Sequence, residues 1–430
     1  MEKNIFIFDY NKCVGCHACV VACMNENGFQ SPATWRNIHS SNNAHYPQLP
    51  LFYLSLACNH CDDAPCLKNC PANAYSRDKK TGAVIHHPEK CMGCQYCTWA
   101  CPYDAPVFNP KEGIIEKCTF CNHRIEKGEK PACANLCPTG ALDFMKAEFS
   151  RQESVDSNPG PVDVGAKLKT IPLRKKTSPE IDLQLFDQKT ENKRKAKKQT
   201  KISAITEWPL VFFTLIATGL TGIYSSGVTQ TFTSLDKHIF FGMGIMAGLL
   251  SILHLGKKLR AWRSLTNLKN SWLSREILFF TLFIAALGID FYVFDIPGIL
   301  VSAFGVLLLF SIDMLYQLAT RKWPAKIHSA QTLFIGITVF ALLASKPEAF
   351  YLIVFFRLLL YIYRKIKYHR IIHLISFLRI TLAISCMILM SNNFPMYFIL
   401  ISFALGELID RIEFYNELNV PEPKDEFYLH

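Results

Sequence analysis

The sequence predicts two regions of unlike build: a cysteine-rich α+β domain, then an all-α bundle of eight transmembrane helices. Three observations predict this. Sixteen of the seventeen cysteines fall before residue 138, in four runs of four. Eight apolar segments fill residues 203–415. A polar, basic stretch separates the two. The predicted boundaries are 1–150, a linker at 151–202, a membrane domain at 203–415 and a tail at 416–430. A chain of 430 residues is long enough for two or three domains with buried cores.

The cysteine runs come first. "CVGCHACVVAC" holds Cys13, Cys16, Cys19 and Cys23. "CNHCDDAPCLKNCP" holds Cys58, Cys61, Cys66 and Cys70. "CMGCQYCTWACP" holds Cys91, Cys94, Cys97 and Cys101. "CTFCNHRIEKGEKPACANLCP" holds Cys118, Cys121, Cys133 and Cys137. Clustered cysteines mean either a disulfide scaffold or metal sites. Disulfide scaffolds belong to small exported domains. The opening "MEKNIFIFDYNKC" has neither an apolar core nor a twin-arginine pair, so no leader is expected. Metal is therefore favoured.

The spacing matches the bacterial ferredoxin run. Three close thiolates wrap one face of an iron–sulfur cubane, and the fourth reaches across to a neighbour. Proline after the fourth cysteine fixes the backbone and ends the short helix that carries it. Sixteen thiolates match four [4Fe–4S] clusters with none left over. A zinc ribbon is the nearest rival, but four ligands in one run with repeated Cys-Pro endings is poor zinc geometry. "IFDYNKCVGCHACVVAC" and "VIHHPEKCMGCQYCTWAC" align along their length. That repeat predicts two ferredoxin-like modules, each with a short strand entering the loop and a helix leaving it. A chain of clusters passes single electrons over a distance.

The phrases "LSLACNHCDDAPC", "CPYDAP", "KCTFC" and "LCPTGALDF" resemble the iron–sulfur subunit of dimethyl sulfoxide reductase and its molybdoenzyme relatives. The resemblance covers roughly residues 1–150. It implies that the first run pairs with the fourth and the second with the third, which spacing alone does not fix. One cluster would then take Cys13, Cys16, Cys19 and Cys137. Its neighbour would take Cys118, Cys121, Cys133 and Cys23. A third would take Cys58, Cys61, Cys66 and Cys101, and the last Cys91, Cys94, Cys97 and Cys70. The family also implies a molybdopterin catalytic subunit as partner.

The linker carries "NPGPVD", "KTSPEID" and "TENKRKAKKQT" without a clear period. Residues 187–202 read mainly as a solvated tether, and 165–186 also as an extended segment lying on a partner subunit. The run Lys193, Arg194, Lys195, Lys197, Lys198 and Lys201 suits a juxtamembrane anchor facing anionic lipid. Nucleic acid is not an expected partner.

Eight apolar segments follow, at roughly 206–226, 237–256, 276–295, 298–319, 328–345, 349–366, 374–391 and 393–412. Most approach the ~20 residues that span a bilayer. Charge alternates between the connections. Lys257, Lys258, Arg260, Arg263, Lys269 and Arg275 crowd one loop. Arg321, Lys322 and Lys326 follow in another, and Arg364, Lys365, Lys367 and Arg370 in a third. The intervening loops nearly lack such charge. The positive-inside rule then places the rich loops, both termini and the clusters on the cytoplasmic face of a bacterial inner membrane. Trp208, Trp262, Trp272 and Trp323 suit an interfacial belt, and ordinary packing accounts equally well for each one singly.

Ionisable residues at span ends are the candidates for membrane chemistry. His254 closes the second segment and Glu276 opens the third. Imidazole and carboxylate accept protons and hydrogen-bond a ring hydroxyl, as quinol oxidation requires. Arg260 would steady them. The bland alternative is a helix-capping histidine and a glutamate paired with a loop lysine. "HLGKKLRAWRSLTNLKNSWLSRE" and "GELIDRIEFY" are similar to stretches of the dimethyl sulfoxide reductase membrane anchor, an eight-span, quinol-oxidising subunit without haem. In that family the His and Glu at these positions are linked to menaquinol. Paired histidines within helices are missing here, so no haem is expected. Cys386 is expected as a small apolar core residue, and Arg357, Arg379, Glu407, Asp290 and Asp313 as bundle-internal partners.

The expected whole is a fusion of a four-cluster relay with its membrane anchor. It would draw electrons from the quinone pool toward a partner that reduces dimethyl sulfoxide or a similar acceptor. A dehydrogenase complex feeding quinone, of formate type, and a redox-sensing membrane protein are the alternatives.

Overall fold

The computed structural model describes residues 2–28, 34–40, 52–156, 163–172, 202–320, 323, 326–367 and 374–418. They form two compact units that divide at Ile202. The basic run 193–201, most of the C-terminal tail, and Arg321, Lys322, Arg370 and His373 lie outside the described residues.

The first unit runs β1 (Glu2–Asp9), α1 (Ala18–Asn27), β2 (Asn37–Ser40), β3 (Tyr53–Leu56), α2 (Pro65–Asn69), β4 (Tyr75–Arg77) and β5 (Val84–His86). It continues through α3 (Tyr96–Ala100), β6 (Val107–Asn109), β7 (Ile114–Glu116), α4 (Asn122–Ile125), α5 (Ala132–Asn135), β8 (Leu142–Glu148), α6 (Arg151–Asp156) and β9 (Leu168–Ile171). β1 pairs antiparallel with β8 and parallel with β9; β2–β3, β4–β5 and β6–β7 are small antiparallel hairpins. β1 sends Phe6 and Phe8 into the core. There Phe6 meets Phe120 and Phe144 edge-on, at 5.2 and 5.6 Å, the favoured aromatic arrangement. This anchors the sheet to the fourth cysteine run.

The repeat is visible in the backbone. Gly15 and Gly93 hold φ 69° and 71°, and His17 and Gln95, which open α1 and α3, hold 61° and 56°. His60 and Phe120 are the second such pair, both at positive φ. Cys70 and Cys101 end α2 and α3 in extended backbone, as a following proline requires. Met24 follows Cys23 instead, and α1 runs on to Asn27.

The linker reading needs one correction. Leu168–Ile171 returns as β9 along β1 of the same chain. Val164, Ala166 and Leu168 are all buried. Three alternating residues among charges are too short a pattern to stand out as a strand.

In the second unit the described residues hold eight α-helices. They are α7 (Trp208–Ser225), α8 (Ser234–Leu253), α9 (Trp272–Tyr292), α10 (Gly298–Tyr316), α11 (Thr332–Leu343), α12 (Pro347–Lys367), α13 (Leu374–Ser391) and α14 (Met396–Glu417). Five of them, α7 to α10 and α13, are long and apolar enough to cross a membrane. At twelve residues, α11 is ~18 Å long, short of a ~30 Å hydrocarbon core. α12 and α14 carry charges that pair with one another. Arg357 binds Glu407, Arg364 binds Asp410, and Lys365 binds Glu417. Arg364 and Lys365 are therefore buried ion-pair partners rather than loop charges, which shortens the tally used for orientation. Small residues let the helices close up. A Cβ on Gly222 of α7 would stand 2.6 Å from the Val339 Cβ of α11, a close approach typical of membrane bundles. Trp208 and Trp262 are exposed, whereas Trp323 is buried against His328 and Phe414.

Candidate functional site

The four runs bring their thiols together across the sequence. Cys13 faces Cys16, Cys19 and Cys137. Cys23 faces Cys121 and Cys133, and Cys118 faces Cys23 and Cys133. Cys61 faces Cys58, Cys66 and Cys101. Cys97 faces Cys70, Cys91 and Cys94. Neighbouring sets also meet: Cys19 faces Cys133, Cys118 faces Cys58, and Tyr75 faces both Cys66 and Cys97. The four sets thus form a row.

Among the described residues no disulfide joins the cysteines. Nor do three His, Cys, Asp or Glu side chains close on a point fit for one metal ion, as a zinc site would require. Burial pushes the thiols up: Cys23 to about 12, Cys70 and Cys101 to about 11. Cys137 goes the other way. Burial raises it too, but the Leu142 N–H at 3.4 Å and donors from Thr139 and Ala141 outweigh that. Backbone N–H groups also reach Cys70 from Ala74 (3.3 Å), Cys91 from Gly93 (3.4 Å) and Cys118 from Phe120 (3.3 Å). Such N–H···S bonds tune iron–sulfur centres.

Two orphaned donors test the fit of a cluster. Val84 N–H donates to His60 Nδ1 at 2.9 Å, so the neutral ring carries its proton on Nε2. That atom is buried with no partner, and so is Arg36 Nε. Buried donors seek acceptors, and cluster sulfides beside these loops would supply them. The residues fit [4Fe–4S] clusters, whose chemistry is reversible one-electron transfer.

Sequence reasoning missed His60, Arg36 and Lys117. Burial holds His60 well below the usual imidazole range, helped by the positive charge of Lys117. Lys117 is buried, bound to the carbonyls of Val84 and Cys118, and faces Cys66 and Cys118. Its place directly before Cys118 was a readable signal. Arg36 sits in an unpatterned insert and gave none.

In the second unit His254 caps α8, Arg260 lies in a 3-10 helix at Lys258–Asn267, and Glu276 stands one turn into α9. All three therefore occupy one end of the α8–α9 pair. The His254 Nδ1 is buried without a hydrogen-bond partner. Glu276 is buried and faces Arg411. Arg411 donates from Nε to Thr214 Oγ1 (3.0 Å) and from Nη1 to the Ala330 carbonyl (2.7 Å). It lies over Tyr316, Phe414 and Tyr415, and the two tyrosine hydroxyls bond each other. The Arg411 Nη2 is buried with no partner. Glu276 and Arg411 come from the two stretches that the sequence singled out, and the fold joins them. Sequence reasoning chose Glu276 but did not see Arg411.

Comparison with known proteins agrees in both halves. A 4Fe-4S dicluster domain model matches residues 49–147, and the DMSO reductase anchor subunit model matches residues 202–402. The B subunit of the anaerobic dimethyl sulfoxide reductase of Haemophilus influenzae is 35% identical over 178 residues, covering 38% of this chain and 86% of that protein. The B subunit of the Escherichia coli enzyme is 35% identical over 159 residues, covering 35% and 77%. The arsenate respiratory reductase iron–sulfur subunit of a Shewanella strain is 32% identical over 198 residues, covering 34% and 84%. An iron–sulfur, electron-transferring half and a membrane-anchoring half thus meet in one polypeptide, which belongs to the dimethyl sulfoxide reductase family of molybdopterin oxidoreductases as a fusion of its iron–sulfur and anchor subunits.

Proposed function

We propose that the chain oxidises menaquinol in the membrane and relays the electrons through four [4Fe–4S] clusters to a separate molybdopterin subunit. That subunit would reduce dimethyl sulfoxide or a similar acceptor in anaerobic respiration. The observation that carries this reading is the row of thiol sets. In order they are Cys13, Cys16, Cys19 and Cys137; Cys23, Cys118, Cys121 and Cys133; Cys58, Cys61, Cys66 and Cys101; Cys70, Cys91, Cys94 and Cys97. The first set is the exposed one: Cys16 is open to solvent, and Val14, Val21 and Leu136, which flank its cysteines in the sequence, are each more than half exposed. Exposed apolar side chains next to these cysteines suit a protein partner, so electrons leave there.

Quinol gives up two electrons and two protons. The His254 Nδ1 and the Glu276 carboxylate take the protons, and Arg260 and Arg411 orient the site. The reading needs no haem. His238 is bonded to the Ser234 carbonyl and packed on Tyr292, and His328 is stacked on Phe414. Eight spans, an inner membrane and a cytoplasmic relay belong to the same proposal. The crowded cationic loop at 257–275 supports that side.

The test uses the full chain with His254→Ala and Glu276→Gln. Menaquinol should reduce the clusters at least tenfold more slowly in both, while dithionite reduces them fully. About sixteen irons per chain are expected. Unchanged quinol-driven reduction in both variants refutes the quinol site. Far less iron refutes the relay.

A further inference from the structure

Arg36 is a buried cation that the relay as described leaves without a task. It is 2% exposed. Its Nη1 donates to the Ser55 carbonyl (3.3 Å) and Oγ (3.0 Å), and its guanidinium lies 4.9 Å over the Phe6 ring. Among the described residues no carboxylate pairs with it. A buried charge without a counter-charge is costly, and guanidinium does not lose its proton. Something anionic must therefore stand nearby. The groups that feel its field are Cys133, Cys19, Cys118 and Cys23. Three belong to the second thiol set and one to the first, so the cation sits against the seam between them. Ser55, which holds the guanidinium, also touches Cys19 Sγ at 3.4 Å.

We propose that Arg36 is the fixed counter-charge of the two clusters at this seam and raises their reduction potentials. The inference rests on the four-cluster reading. A four-thiolate [4Fe–4S] centre gains one electron, and so one negative charge, when it is reduced. No bond forms or breaks and no proton is needed, since the electron comes from quinol. A cation within a few ångströms favours the more negative state, and poor screening in the interior makes the effect large. Electrons are thereby drawn toward the exposed end of the row. Arg36 is a positioning residue for charge, not a ligand.

The test is a redox titration of the full chain, followed by electron paramagnetic resonance, in wild type, Arg36→Met and Arg36→Lys. In Arg36→Met two of four midpoints should fall. The reduction equilibrium of each should weaken by about tenfold or more, ~59 mV for one electron, while the other two hold. Arg36→Lys keeps the charge and should keep most of the potential. Four unchanged midpoints in Arg36→Met, with iron and sulfide intact, overturn the proposal. If Arg36→Met fails to load clusters, wild-type protein grown with 15N-arginine decides. Pulsed resonance should detect guanidinium nitrogen coupled to a reduced cluster, and its absence overturns the proposal. A wild-type iron and sulfide count well below four clusters sinks the underlying reading instead.

Discussion

The imidazole of His60 lies flat on the ring of Phe120, with centroids 4.2 Å apart and planes 19° from parallel. Each ring comes from a cysteine loop, Cys58–Cys61 on one side and Cys118–Cys121 on the other. Both are fully buried. The stack is thus the mechanical seam where the second and third thiol sets meet, next to the approach of Cys58 to Cys118. Replacing Phe120 with Ala should cost ~3–5 kcal/mol, the usual range for a large core aromatic. The denaturant midpoint for bleaching of the visible iron–sulfur band should fall accordingly. A midpoint equal to wild type would mean the seam does not depend on this ring.

His86 predicts an acid limit for the first unit. Burial, with Lys117 nearby, lowers it from 6.5 to about 4. Above pH 6.5 the ring is neutral in folded and unfolded chains alike, and its contribution is constant. Between pH 6.5 and 4 the unfolded chain binds a proton that the folded chain refuses. Stability therefore falls as pH falls through that window, by up to ~3 kcal/mol for one such histidine. His86→Phe keeps the contact with Tyr75, whose ring lies 4.9 Å away, and removes the titration. Bleaching midpoints compared at pH 7 and pH 5 should converge in this variant; a wild-type pH slope that survives it would assign the acid limit elsewhere.

Gly222 predicts a packing limit in the second unit. A methyl there would meet the Val339 Cβ at 2.6 Å and the Gly336 carbonyl at 2.8 Å. Gly222→Ala must push α7 away from α11, at a cost of ~1–3 kcal/mol. Adding Val339→Ala removes only the Cγ1, 2.7 Å from that methyl, and keeps the clashing Cβ, so it should recover little of the loss. Thermal midpoints of the detergent-solubilised chain would show it, and no drop in Gly222→Ala would mean the helices yield freely.

The sequence made some of this legible and hid the rest for physical reasons. Cysteine spacing is a local code: in three of the four runs the first three cysteines lie within nine residues, and only in the fourth does the third, Cys133, come twelve residues after the second. All sixteen thiols and the Cys-Pro helix stops could therefore be read directly. The pairing of sets is not local. It joins segments far apart in the sequence, as the contacts of Phe6, Phe120 and Phe144 also do. The apolar periods of α7 to α10 and α13 were equally plain. α12 and α14 read as apolar runs with stray charges, and only the fold shows that those charges face one another. Arg36 and Arg411 could not be found for the same reason, since a lone cation in a sequence does not announce what it faces.

Arg357 and Glu407 bring the last prediction. The guanidinium meets the carboxylate twice, at 2.9 and 2.5 Å, and both side chains are almost wholly buried. Arg357 also donates to the Ser329 carbonyl, so it ties α12, α14 and the start of α11 together. Removing one partner of such a pair leaves an uncompensated buried charge, typically ~3–5 kcal/mol. Glu407 retains Arg379 at 3.2 Å, so Arg357→Met should fall at the low end of that range. Removing both charges with Arg357→Met and Glu407→Gln should cost less than the two single changes added together. A coupling of ~0.5–3 kcal/mol is expected from thermal midpoints of the four proteins in detergent. Strict additivity would mean that the two charges are stabilised separately, Glu407 by Arg379 and Arg357 by the Ser329 carbonyl.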